Sequence, residues 1–298
     1  MLNQVQHDGR GLCLLTPEAE YDVGRAEWMP QAALLEHLFD ARGVRVSLLP
    51  WTTDADLSGY ALAIPLMAWG YHRDMPRWLA QLDRWAACGA RLVNPLPVLR
   101  WNADKAYLLD FERRGIAIVP SRITPSLTAA DLDAAREGFG ARRLVAKPVS
   151  SASSHNTFLL GPDDPPPPEI IGERMLIQPM MEAIESEGEY SLFYLGGRYS
   201  HAIVKRPRAG EFRCQSQFGG RHEMCAPPAA ARTLGDAALA GSGPDIAYAR
   251  IDLIGDGKGG YALMEIELIE PYLYLDQAPD GGAGFIDMVT GMIAREAA

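Results

Sequence analysis

The sequence has no Walker A run and no DFG to complete a kinase catalytic set. Its one GxGxxG spacing, Gly255–Gly260, lies between two strand-like runs instead of opening a helix. The familiar nucleotide folds are therefore excluded. Basic charge is scarce, with 28 Lys and Arg against 38 Asp and Glu and a net charge of −10. A nucleic-acid binder would need a basic surface, so that class is set aside. A local basic pocket for a nucleotide is not. Cysteine is sparse too. Cys13, Cys88, Cys214 and Cys225 form no CxxC pair and no zinc spacing. They read as reduced structural thiols of a cytoplasmic protein. No apolar stretch approaches a membrane span. Met1–Arg10 is polar, lacks a signal-peptide core and reads as a frayed leader. No internal repeat or heptad is present.

What is there is ordinary globular material, 48% hydrophobic and 22% charged over 298 residues, enough for two or three subdomains. The first third alternates strands and helices. Gly11–Thr16, Val44–Leu49 and Tyr60–Pro65 are apolar strand candidates. Met29–Arg42, closed by Gly43, and Asp74–Cys88, closed by Gly89, have helical patterns. This order predicts a small open parallel α/β domain over residues 1–100. The rest is mixed α+β. Helices are expected at Lys105–Arg114 and Thr128–Gly138. Strands are expected at Leu144–Pro148, Met175–Gln178, and Tyr190–Leu195 turning through Gly196-Gly197 into Arg198–Lys205. Pro165–Pro168 reads as an exposed irregular connection. Subdomains of 101–174 and 175–298 are expected.

An acidic triplet carries the strongest chemistry. Asp252 lies in one apolar run and Glu265 and Glu267 in the next, across the glycine-rich turn, so the two read as a hairpin. Alternation puts Glu265 and Glu267 on one face, and the partner strand can add Asp252. Carboxylates so close repel unless a cation holds them. Hard oxygen ligands suit Mg²⁺. A solvated acidic hairpin is the plain alternative, disfavoured by the neighbouring Ile, Leu and Met.

Lys147 ends a strand and meets the small polar loop Ser150–Asn156, whose amides and hydroxyls can wrap phosphate. The one dense basic stretch contains His201, Lys205, Arg206 and Arg208, followed by Arg213. It reads as either a charged surface hairpin or a phosphate-facing wall opposite the carboxylates. Phosphoryl transfer needs both charge sets, because its catalysis is mostly positioning and neutralisation.

These stretches, taken in order, resemble the ATP-grasp carboxylate–amine ligases, the branch of ribosomal-protein S6 glutamate ligase and bacterial glutathione synthetase. The matching runs are Trp101–Lys105, Val145–Pro148, Ile177–Pro179, Gly188–Ser191, Lys205–Arg213, Asp252 and Met264–Glu267. The resemblance implies the ATP-grasp fold, with a small N-terminal open parallel α/β domain and two mixed α+β subdomains clamping ATP. It also implies roles. Lys105, Lys147, Ser151, Ser153 and Ser154 would hold the phosphates of ATP. Gln178 and Met180 would hold adenine, and Glu189 the ribose. Asp252, Glu265 and Glu267 would hold Mg²⁺. Lys205 and Arg213 would face the developing acyl phosphate, with Arg250 as a further catalytic contact to substrate. This chain departs from the pattern twice. It has no glycine between Lys147 and Gly161, and it has Glu267 where Asn is usual.

Tyr199–Arg208, Phe212–Gln215 and Glu265–Pro271 further resemble the O-ureido-serine cyclo-ligases of cycloserine biosynthesis. That implies ATP-driven ring closure of an amino-acid-like small molecule, O-ureido-D-serine giving the antibiotic D-cycloserine. No nucleic-acid or membrane partner is expected, and a homodimer is compatible with the reading. An intermolecular peptide-type ligase and a non-catalytic nucleotide-binding module stay open as alternatives.

Overall fold

The computed structural model describes residues 11–18 and 25–296. The polar leader at 1–10 lies outside the described residues. Strand β1 (Leu12–Thr16) is buried along its whole length, as its unbroken apolar run requires. It sits between β2 (Val46–Pro50) and β3 (Leu62–Ile64), parallel to both. Helix α1 (Arg25–Asp40) begins before the Met29 expected from the sequence, because Pro30 lies inside it and not at its start. Helix α2 (Met75–Ala87) starts on Asp74, whose carboxylate accepts from the Arg77 N–H. It packs Trp78 and Trp85 into the sheet.

Helices α3 (Leu96–Asn102) and α4 (Tyr107–Arg113) lead into the second sheet. Its strands are β4 (Arg122–Thr124), β5 (Leu144–Pro148), β6 (Phe158–Leu160) and β7 (Met175–Pro179), antiparallel in the order β4-β7-β5-β6. Helix α5 (Ala129–Phe139), opened by a Thr128–Asp131 capping box, covers the face holding Leu144, Ala146 and Ile177. Register places Val145, Lys147, Leu176 and Gln178 on the opposite face. The proline run ends in a short 3₁₀ turn, Pro168–Ile170.

A short helix, α6 (Ala183–Ser186), precedes the third sheet. Its strands are β8 (Glu189–Leu195), β9 (Arg198–Arg206), β10 (Arg221–Met224), β11 (Tyr248–Gly255) and β12 (Tyr261–Glu267). They are antiparallel in the order β10-β9-β8-β11-β12. Helix α7 (Ala229–Gly241) seals one face over Leu192, Tyr194, Ala249 and Ile251. It sits close because a Cβ on Gly235 would lie 2.6 Å from the Tyr194 hydroxyl. Helix α8 (Ala283–Glu296) packs Phe285, Ile286 and Val289 with α1 and β1 in one core. No described helix is long and apolar enough to cross a membrane.

Helices α3, α6, α7 and α8 and strands β4, β6 and β10 are absent from the reading of the sequence. Six of the thirteen residues of α7 are alanine, with Gly235 inside it and Gly241 at its end, so its apolar stripe is faint. β10 is an exposed edge strand with no alternation to detect.

Candidate active site

Register alone gathers most of the expected residues. On the face of the third sheet away from α7, Glu189 pairs with Lys205, Ser191 with Asp252, Asp252 with Glu265, and Arg250 with Glu267. Gly188 makes the entry to β8 feasible. Its φ is +89°, and a Cβ there would fall 2.5 Å from the Lys205 carbonyl oxygen.

The charges on this face are mutually compensated. Lys205 Nζ donates to Glu189 Oε1 at 2.8 Å and lies 3.6 Å from Asp252 Oδ1. The Arg250 guanidinium grips Asp252 through Nε and Nη2, at 3.1 and 2.9 Å, and reaches Glu267. Ser191 Oγ also donates to Asp252. Burial opposes ionisation of Asp252, but Arg250 and Lys205 outweigh it and hold its pKa at about 2. Burial likewise works against charge on Lys205, yet Asp252 and Glu189 raise its pKa above the usual lysine value. Glu267 goes the other way. Burial dominates despite Arg250, and its pKa rises to about 7.

Lys105 and Lys147 close the site from the opposite side. Both are buried. Lys105 Nζ donates to the Ser151 carbonyl at 2.6 Å and to Ser151 Oγ at 3.3 Å, and lies 3.0 Å from Glu265 Oε1. Lys147 shares its sheet face with Gln178, and burial lowers its pKa against the pull of Glu265. The carboxylate of Glu265 is held below its ordinary pKa, with Lys105 and Lys147 overcoming burial. Gln178 Nε2 donates to Ser121 Oγ at 2.9 Å, and the Met180 N–H donates to the Arg143 carbonyl at 2.9 Å. A cavity of about 520 Å³ opens beside Met180, between Arg142, Arg143 and Glu182.

The basic stretch is not one wall. Strand alternation turns His201 and Lys205 inward, while Arg206 pairs with Glu223 and Arg208 is exposed. Arg213 stands apart from the carboxylates. Both oxygens of Glu211 hold its guanidinium, at 3.0 and 2.7 Å, and it stacks 3.6 Å over Phe218. The glycine-free loop shows its strain directly, since Ser153, Ser154 and Asn156 have φ of +51°, +58° and +50°. Gln217 Nε2 donates to the Ser153 carbonyl at 3.3 Å, and the His155 ring lies 6.0 Å from that of His72.

Reading the sequence missed the residues that hold the hairpin. Asn102 donates to the Ile266 carbonyl and accepts from the Leu268 N–H, both at 2.8 Å. The Tyr107 hydroxyl bonds both the N–H and the carbonyl of Ile266 at 3.1 Å. Asn94 bridges the carbonyls of Tyr248 and Leu268. The only signal was a pair of Asn residues in apolar surroundings, which at such positions usually satisfy backbone groups.

Asp252, Glu265 and Glu267 supply the hard oxygens that Mg²⁺ prefers, on one face as expected. Their oxygens are engaged by Arg250, Lys105 and Lys205, and among the described residues no three acidic, His or Cys side chains converge as a metal cage. The donor set still fits a cation that keeps several waters and needs only one or two carboxylates.

Comparison with known proteins agrees with this fold. Residues 12–94 match the family described as D-cycloserine synthetase DcsG, N-terminal domain. The chain is 27% identical over 266 residues to the cycloserine biosynthesis protein DcsG of Streptomyces lavendulae, covering 82% of this chain and 87% of that one. It superposes on the crystal structure of D-cycloserine synthetase DcsG with a TM-score of 0.81 at 24% identity, over 95% of this chain and 99% of the other. D-alanine–D-alanine ligase from Bacillus anthracis complexed with ATP gives 0.69 at 13% identity, over 97% and 98%. The fold is that of the ATP-grasp ligases, whose solved structures the chain superposes on over nearly its whole length. Within it, the chain resembles the D-cycloserine synthetases.

Proposed function

We propose that this chain activates the carboxylate of O-ureido-D-serine with ATP and closes the ring of D-cycloserine. Support comes from the cycloserine relatives and from one juxtaposition. Lys105 joins the phosphate-type loop at Ser151 to the carboxylate face at Glu265. Residues 1–100 form the small first domain in this reading, with 101–174 and 175–298 as the clamp.

The adenine end of ATP lies against Gln178 and Met180, and its ribose against Glu189. Lys105, Lys147 and the Ser151, Ser153 and Ser154 segment receive the phosphates. Asp252, Glu265 and Glu267 would hold Mg²⁺, which neutralises phosphate charge when bound. The substrate carboxylate attacks the γ-phosphorus, the bond to the β-phosphate oxygen breaks, and ADP leaves. Lys205 and Arg250 orient the carboxylate. Arg213 joins them on release from Glu211. The nitrogen bonded to the side-chain oxygen then attacks the acyl phosphate, forms the ring amide and expels phosphate. Atom balance requires the carbamoyl group on that nitrogen to leave with water as carbamate. Tethering the nucleophile gives effective molarities on the order of 10⁵ M. A dry site protects the acyl phosphate from hydrolysis.

The test is phosphate release with ATP, Mg²⁺ and a panel of amino acids that includes O-ureido-D-serine. Release with that compound alone supports ring closure. Release only with two amino acids together points to an intermolecular ligase. ATP binding with no turnover across the panel leaves a nucleotide-binding module.

A further inference from the structure

The segment after β12 lays one tyrosine on the carboxylate face. Tyr274 is half-buried between Leu273 and Leu275, and both leucines are sunk in the core that α1 and α8 share. The Leu273 carbonyl accepts from His201 Nε2 at 3.0 Å, and the Gln277 N–H donates to the Tyr274 carbonyl at 3.0 Å. These anchors hold Tyr274 at a φ of +48°, unusual for a bulky residue. Strain of this kind persists only where the surroundings over-determine it, and it concentrates at functional sites.

Ring contacts fix where the tyrosine stands. Its ring lies 5.9 Å from that of Phe193 and 4.8 Å from that of His222, and it packs on the cluster that includes Ile203. Register puts Phe193 opposite Arg250 and His222 opposite Lys205. Ile203 lies two residues before Lys205 on β9, opposite Ser191, the residue that bonds Asp252. Tyr274 therefore covers the site face of the third sheet between Lys205 and Arg250. Among the described residues, no group bonds its hydroxyl. Burial raises the pKa of that hydroxyl while Lys205 and Arg250 oppose the rise, so it stays a proton donor at neutral pH.

We propose that the Tyr274 hydroxyl is a third donor, beside Lys205 and Arg250, to the substrate carboxylate oxygen that does not attack phosphorus. That oxygen becomes the carbonyl of the acyl phosphate. It takes up negative charge when the nitrogen adds, and it ends as the carbonyl oxygen of the amide. A fixed neutral donor serves it through all three states without gaining or losing a proton. Lys205 and Arg250 are shared with Glu189, Asp252 and Glu267, so neither is wholly available to the substrate. This role rests on the reading of the enzyme as one that activates a carboxylate, though not on ring closure.

The experiment uses the full chain carrying Tyr274→Phe, which keeps the ring, its packing and the backbone and removes one oxygen. With ATP, Mg²⁺ and O-ureido-D-serine, kcat for phosphate release should fall ~100-fold, the scale of losing one oxyanion donor. ADP affinity and the melting temperature should stay at their wild-type values. An undiminished kcat overturns the proposal and leaves ring closure intact. Loss of ADP affinity in step with kcat also overturns it, because the tyrosine would then be a packing element. If the wild type releases no phosphate with O-ureido-D-serine, ring closure fails. D-serine, titrated by ligand-observed NMR into the chain loaded with ADP and Mg²⁺, then decides Tyr274. It should bind the wild type at least ~10-fold more tightly than Tyr274→Phe, the scale of a hydrogen bond to a charged group. Equal affinities, or no binding to either, overturn the proposal.

Discussion

Lys105 Nζ lies 3.0 Å from Glu265 Oε1, so a lysine placed before α4 and a carboxylate of the β11–β12 hairpin share one buried contact. Lys105 also holds the carbonyl and hydroxyl of Ser151. The phosphate-type loop and the acidic face are therefore tied through one ammonium group. A substitution at either end reaches both.

Glu265→Gln keeps the shape and an oxygen for Lys105 but removes one negative charge. Turnover should fall at least ~100-fold, the scale of losing one transition-state charge contact. The Mg²⁺ concentration for half-maximal rate should rise. The melting temperature should move by only a few degrees, because relief of repulsion from Asp252 and Glu267 offsets the lost ion pair. Unchanged turnover at limiting Mg²⁺ would remove Glu265 from the metal set.

Lys147 is buried, and burial lowers its pKa, so its charge is carried at a cost without a phosphate beside it. Lys147→Met should weaken ATP binding by ~10-fold or more through loss of a charge-assisted contact. The ligand-free melting temperature should hold or rise. Wild-type affinity in a nucleotide titration would leave Lys147 a structural residue of β5.

The Ser150–Asn156 loop carries left-handed backbone at three non-glycine residues. Ser154→Gly at φ +58° should stabilise the protein by roughly 0.5–1 kcal/mol, the steric gain exceeding the added chain entropy. Amide exchange in the loop should slow when a non-hydrolysable ATP analogue binds, as for a lid that excludes water. Equal exchange with and without the analogue would mean that the loop is static.

His72 supplies a pH dependence. Burial, with Lys105 adding to it, lowers its pKa from 6.5 to about 3. The unfolded chain then binds a proton that the folded chain refuses, so stability falls as pH drops from 6.5 towards 3. The full loss is on the order of 5 kcal/mol. Urea unfolding at pH 7, 5.5 and 4.5 should show this slope, and His72→Gln should flatten it. Equal slopes in both proteins would assign the acid response to other groups.

Local pattern was enough to place the β11–β12 hairpin, the parallel strands of the first sheet and the inward side of Glu265 and Glu267. Periodicity of two, a glycine-rich turn and unbroken apolar runs are properties of short segments, and they survive into the fold. The order of short runs from Trp101 to Glu267 also marked the ATP-grasp class, because it samples many distant positions at once. Tertiary structure decided what each charge touches. Nothing local pairs Lys105 with Glu265, ties Arg213 to Glu211 instead of the carboxylates, or sets Asn94 and Asn102 under the hairpin. Those outcomes depend on how two sheets and their helices meet, and a side chain's neighbours across that gap are set by packing and desolvation, which no window of sequence contains.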